Sequence, residues 1–237
     1  MSRLAILGYH KVGPPAPGGW DTWYYVPAAT LAAQLATVRA CGWELIDADA
    51  LRAAVRGEQD ALPERAVLVT FDDGYENNLE HALPVLLEHA CPAVLFVPTA
   101  HVGGTNAWDQ DEEPAERICD WEALSALAAA GVSVQSHGVS HRSFSSLTDA
   151  ERREELARSR IELEAHLPAP VDLFAFPYGD DADGAADVQA ALRDAGYVAA
   201  FGYGGDPTEV PAADRFRLER VAMGPDTHLR AVLGAAA

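Results

Sequence analysis

The stretch "AVLVTFDDG", residues 66–74, runs six apolar or β-favouring residues into two adjacent aspartates and a glycine. The run has no polar alternate face, so it predicts a strand buried on both sides, and Asp72 and Asp73 fall at its C-terminal end. That end is where parallel α/β folds keep their chemistry. A lone aspartate there commonly caps a turn or a helix. Two like charges followed by a glycine call for a further reason.

Outward from this strand, short apolar runs alternate with helical patterns. "LAILGY", "WELI", "PAVLFV", "VSVQS", "VDLFAF", "YVAAFG" and "FRLERV" read as strands. "VPAATLAAQLATVRACG", "NNLEHALPVLLEHA", "DWEALSALAAAG", "TDAERREELARSRIELEAHL" and "DVQAALRDAG" read as helices between them. Asp120 and Thr148 are candidate N-caps, Thr148 with Glu151 three residues on, and Gly42, Gly131 and Gly196 stand where helices end. Apolar strands joined by helices imply a mostly parallel, covered sheet, either doubly wound or closed as a (β/α) barrel. The 237 residues contain no internal repeat and no composition break, so one domain over 1–237 is expected.

Composition narrows the function. A formal charge of −19 opposes binding to nucleic acid or to an anionic membrane surface and otherwise describes a solvated acidic exterior. With 49% hydrophobic residues, the chain still has no apolar stretch long enough to span a bilayer. The opening "MSRLAILGYHKVG" reads as a first strand rather than a secretory leader. Cys41, Cys91 and Cys119 are far apart and form no redox or metal spacing, which leads us to expect reduced thiols and a cytoplasmic location. Oligomeric state is left open.

Three further clusters end predicted strands. In "QSHGVSH", His137 and His141 are four residues apart, a spacing that on a helical turn would bring both imidazoles to one metal ion. With a carboxylate from another strand end they would make a two-histidine, one-carboxylate site with open positions. "FAFPYG" places Pro177, Tyr178 and Gly179 after a strand, readable as a simple turn. "GYHKV" puts His10 after the first strand, readable as a hydrogen-bonded structural histidine. Two long loops, 13–23 and 99–119, carry Trp20, Trp23 and Trp108 and read as ordered walls of a cleft.

The order "TFDDG", "SHGVSH", "FPYG" resembles the polysaccharide deacetylase (NodB-homology) domain, carbohydrate esterase family 4. "YHKV", "FVPTAHVGGTNAW", "DWEALSALAAAGV" and "FRLERV" extend the likeness over nearly the whole chain, toward the branch that contains poly-N-acetylglucosamine deacetylases. The resemblance implies a deformed (β/α) barrel of mostly parallel strands. It also implies that Asp73, His137 and His141 bind a divalent metal, zinc or alternatively cobalt or nickel, while Asp72 is the catalytic base. The backbone N–H at Tyr178 would help hold the oxyanion, and His10 would be the general acid. Amide hydrolysis asks for the same parts: an activated water, a polarised carbonyl and a proton for the departing amine. The implied activity is metal-dependent removal of an N-acetyl group from an amino sugar, in an oligosaccharide or a smaller conjugate. The alternatives are a related amidohydrolase for a non-sugar amide and a non-catalytic carbohydrate-binding protein.

The chain departs from the wider family at two points. Ala175 and Phe176 stand where an arginine commonly supports the base, which makes Arg220 in "FRLERV" the candidate replacement. The late leucine–histidine motif is missing, which leaves His228 in "DTHL" as the alternative acid.

Overall fold

The computed structural model describes residues 2–58 and 62–234. Its first elements are β1 (Ser2–Tyr9), β2 (Lys11–Val12), β3 (Tyr25–Val26), α1 (Ala28–Ala40), β4 (Glu44–Leu45) and α2 (Ala48–Val55). The middle of the chain forms β5 (Arg65–Phe71), α3 (Leu83–Glu88), β6 (Ala93–Val97), α4 (Trp121–Ala129), β7 (Val132–Ser136) and α5 (Asp149–His166). β8 (Leu173–Ala175), α6 (Ala186–Asp194), β9 (Ala199–Phe201), β10 (Thr208–Val210), β11 (Val221–Ala222) and α7 (Leu229–Val232) complete it.

The main sheet runs β10-β1-β5-β6-β7-β8-β9, parallel except for β10, which lies antiparallel along the start of β1. β11 pairs in parallel with β1 through Leu7 and Val221, while Leu218 bridges to Phe201 of β9. The 218–222 segment therefore spans the gap between the two ends of the sheet and curls it into a deformed (β/α) barrel.

The long central strands bury both faces, and their successive residues alternate between two clusters as the pleat requires. Leu4, Ile6, Leu68, Val94, Phe96 and Phe201 fill the barrel interior. Leu7, Val67, Val69, Leu95 and Val134 face outward against helix residues such as Leu35, Leu124 and Leu156. Fully burying one such side chain contributes about 1.5–3 kcal/mol, so the uninterrupted apolar run of β5 is the strongest local determinant of the sheet. Helix α2 closes the end remote from the candidate site: Leu51 joins the interior, and Arg52 donates to Asp172 just before β8 at 2.7 Å.

The expected caps are present. Asp120 accepts from the Ala123 N–H, Thr148 and Glu151 form a reciprocal capping box, and Gly42, Gly131 and Gly196 all have positive φ. Three details differ from the sequence reading. The "NNLEHALPVLLEHA" helix opens with a wide π turn at Asn78–Ala82 before α3, because Pro84 has no N–H to return to the carbonyl four residues earlier. "FRLERV" contributes a bridge at Leu218 and a two-residue strand rather than a continuous one. The edge strand β10 and helix α2 are additional.

Candidate active site

The strands deliver the reactive side chains to one end of the barrel. The ladder continues past the strand ends, with Asp72 N–H donating to Tyr9 O at 2.9 Å and His137 N–H to Val97 O at 3.1 Å. Beyond that point the backbone turns sharply: Asp73 and Gly74 have φ of 71° and 74°. A Cβ at Gly74 would also come within 3.2 Å of Val97, so glycine is required twice over. The turn sends the two adjacent aspartates to different partners.

Asp72 faces Arg220. Nη1 and Nη2 of the guanidinium donate to Oδ1 and Oδ2 at 2.6 and 2.7 Å, and Nε donates to Gly202 O at 2.8 Å. Both side chains are buried. Burial alone would raise the Asp72 pKa, but the charge and hydrogen bonds of Arg220, together with the nearby His137 and His10, outweigh it and keep the carboxyl below the usual carboxylate range. The planar fork holds both oxygens in a fixed plane.

Asp73 faces the two histidines. Its Oδ1 lies 3.4 Å from His137 Nε2 and 3.0 Å from His141 Nε2, yet it makes no hydrogen bond of acceptable geometry despite being buried. One ligand atom from each residue falls within 4.8 Å of the others. The His137 ring lies with Nδ1 2.7 Å from Ala175 O, an arrangement in which Nδ1–H donates and Nε2 keeps its lone pair. A buried carboxylate oxygen without a hydrogen bond, beside a lone pair fixed in this way, fits a divalent cation with an N,N,O donor set.

The helical turn expected at His137–His141 is not what brings these rings together. The segment is an irregular loop after β7, with Gly138 at φ 80° and His141 at φ 56°. Left-handed residues cannot continue an α-helix, so convergence comes from the loop's path rather than from helical periodicity.

His10 and Tyr178 line the same cleft, which encloses about 210 Å³ with Asp72, Asp73, His137 and His141. His10 Nε2 is 4.0 Å from Asp72 Oδ2, and its ring packs on Tyr24 and Tyr203. Burial lowers the His10 pKa, and the nearby Asp73 and Asp72 only partly offset this. Tyr178 has φ 59°, and its exposed ring stands edge-on to His141. His228 lies in a different groove, between α1 and α7, and is not among the residues lining this cleft.

Of the two long loops expected to wall the cleft, 99–119 lines it through Asp109, Glu112 and Glu113, whereas neither 13–23 nor any of the tryptophans is among its lining residues. Trp108 stacks on His141 with ring centres 4.3 Å apart. Trp23 donates to Asp226 at 2.9 Å and packs against Tyr24, whereas Trp20 is half exposed. Several polar residues that the sequence reading did not single out hold these loops. Lys11 Nζ reaches Glu113 at 2.6 Å between the rings of Tyr25 and Tyr75, and Thr22 donates to the same carboxylate. Glu116 accepts from the Ala16 N–H and from the Tyr25 hydroxyl at 2.7 Å each. Lys11 adjoins His10, which was the one available signal. Glu155 and Asp180, which hold the loops around His141 and Tyr178, carried none.

Comparison with known proteins gives a consistent picture. A family model described as polysaccharide deacetylase matches residues 59–200. The Bacillus subtilis (strain 168) protein YxkH, named for that family, is 24% identical over 229 residues, covering 94% of this chain and 72% of its own length. Escherichia coli (strain K12) poly-β-1,6-N-acetyl-D-glucosamine N-deacetylase is 27% identical over 211 residues. That match covers 75% of this chain, which spans only 31% of the E. coli protein. Among solved structures, IcaB from Ammonifex degensii superposes with a TM-score of 0.81 at 26% identity, over 99% of this chain and 97% of that one. Streptococcus pyogenes deacetylase PplD, solved in complex with acetate, gives 0.79 at 18% identity over 99% and 98%, a likeness of fold.

Proposed function

The chain belongs to the polysaccharide deacetylase family, and from that premise we propose that it hydrolyses the N-acetyl amide of an amino sugar, releasing acetate and the free amine. The observation that carries this reading is the pairing, in one cleft, of an arginine-held Asp72 with the Asp73–His137–His141 cluster. The name of the E. coli relative supports an N-acetylglucosamine-containing substrate.

Asp73, His137 and His141 would hold a divalent cation, zinc by the chemistry of the donors, with cobalt and nickel also suited. Bound there, such an ion supplies Lewis acidity, lowering the pKa of water from ~15.7 toward ~7 and polarising a carbonyl. Asp72 accepts the proton of the attacking water; Arg220 keeps it ionised for that task. The Tyr178 N–H donates to the oxygen that becomes negative as water adds to the acetyl carbon, a contribution worth on the order of 3 kcal/mol. The C–N bond then breaks and the nitrogen must leave protonated. His10, depressed by burial and so neutral at rest, acquires a proton during turnover and hands it on; Asp72, 4.0 Å away, is the group that has just taken one.

The test is acetate release from β-1,6-linked N-acetylglucosamine oligomers, chitooligosaccharides and simple acetamides. Turnover on either sugar series supports the reading. Turnover confined to the non-sugar amides would transfer the chain to a different substrate class.

A further inference from the structure

We propose that Glu155 is a positioning residue for the His137–His141 loop, and that without it His141 does not hold its place as a metal ligand. The inference rests on the reading that these histidines and Asp73 bind a divalent cation.

The two imidazoles are fixed by different means. His137 is aimed through its own ring, by the contact of Nδ1 with Ala175 O. His141 has no such support, because its Nδ1 is buried and without a hydrogen-bond partner. Its placement therefore depends on its backbone and on packing against the rings of Trp108 and Tyr178. That backbone is itself in a costly conformation: φ of 56° at a histidine costs on the order of 1–3 kcal/mol and persists only where the surroundings enforce it.

Glu155 enforces it. The carboxylate reaches down from α5, buried, and Oε2 accepts from Val139 N–H at 2.6 Å and Ser140 N–H at 3.0 Å. Oε1 accepts from Ser140 Oγ at 2.6 Å. Among the described residues it has no basic partner; its three contacts are all with the loop between the two ligands. Charge-assisted bonds of this kind are roughly twice as strong as neutral ones. Gly138 fits the same purpose, since a Cβ there would lie 2.9 Å from Oε2 and displace it. One turn further along α5, Ser159 meets Ser136 at 2.7 Å, and Ser136 Oγ accepts from Gly138 N–H. The same helix face thus braces the loop at its start and at its middle.

The experiment uses the full chain loaded with zinc and measures retention against the chelator 4-(2-pyridylazo)resorcinol, for wild type and for Glu155→Ala, Glu155→Asp and Glu155→Gln. Asp keeps the charge but loses the reach; Gln keeps an oxygen that can serve both N–H groups. We expect Ala and Asp to weaken zinc binding by about 10–100-fold, the usual effect of removing support behind a ligand, and Gln, which keeps the acceptor without its charge, to weaken it clearly less. The visible spectrum of the cobalt-loaded chain should change in Asp and be preserved in Gln, a difference that general loss of stability would not produce. If Ala does not fold, the Asp and Gln pair decides alone. Wild-type zinc affinity and spectrum in Asp, or a loss in Gln equal to that in Asp, overturns the proposal. A wild-type chain that binds no zinc or cobalt would instead overturn the metal reading on which it rests.

Discussion

Arg220 and Asp72, 148 positions apart in the chain, meet through two hydrogen bonds of 2.6 and 2.7 Å with both side chains buried. Removing one member of such a pair leaves the other charged, dry and unpaired. Arg220→Met should therefore destabilise the fold by about 3–5 kcal/mol in urea unfolding. Arg220→Lys, which restores a charge but no planar fork, should recover part of that stability and little turnover. Full activity in the lysine variant would show that the fork does not matter to the base.

The adjacent aspartates should separate by assay. Asp72→Asn should retain zinc while kcat falls by on the order of 10²–10⁴, because an amide cannot take a proton from water. His137→Ala and Asp73→Asn should lose zinc, measured by metal analysis after gel filtration. The reverse pattern would exchange the roles of the two carboxylates.

His10→Ala should leave zinc content unchanged and reduce amide hydrolysis by about 10²–10⁴-fold. Hydrolysis of an activated acetyl ester should suffer much less, since its leaving group needs no proton. Equal losses on both substrates would remove His10 as the acid.

Asp180 gives a prediction about acid stability. Burial would raise its pKa, but hydrogen bonds from Ser143, from Ser145 and from the Ala182 N–H outweigh it and set the value at about 2. A carboxyl depressed in the folded state stabilises that state above its unfolded pKa of ~3.9 and loses the contribution as pH falls toward the folded value. The stability difference between wild type and Asp180→Asn should therefore shrink as pH is lowered from about 4 toward 2. A difference that stays constant through that window, in urea titrations at stepped pH, would assign the effect of the substitution to something other than ionisation.

The parts legible in the sequence were those with local causes. The apolar run of β5 needs no partner to declare itself a buried strand, and Thr148 with Glu151 announces the start of α5 within four residues. Asp72 and Asp73 stood out because two charges ended such a run. The unreadable parts depend on distant contacts. Glu155 is one glutamate among several on a charged helix, and only the loop folded beneath it distinguishes it. The spacing of His137 and His141 invited a helical reading because i and i+4 share a face; two left-handed residues in that loop defeat it. Arg220 could be named from "FRLERV", but its burial and its hold on Asp72 belong to the closure of the barrel.

The bonds of Lys11 to Glu113 and of Glu116 to Ala16 and Tyr25 join the 13–23 and 99–119 loops across nearly a hundred positions of sequence. For protein engineering this makes the two loops a single inheritable cassette. Transplanting one from a relative to alter substrate choice would strand a buried lysine or a buried glutamate in the recipient, whereas exchanging both together with Lys11 and Tyr25 carries the matching charges along.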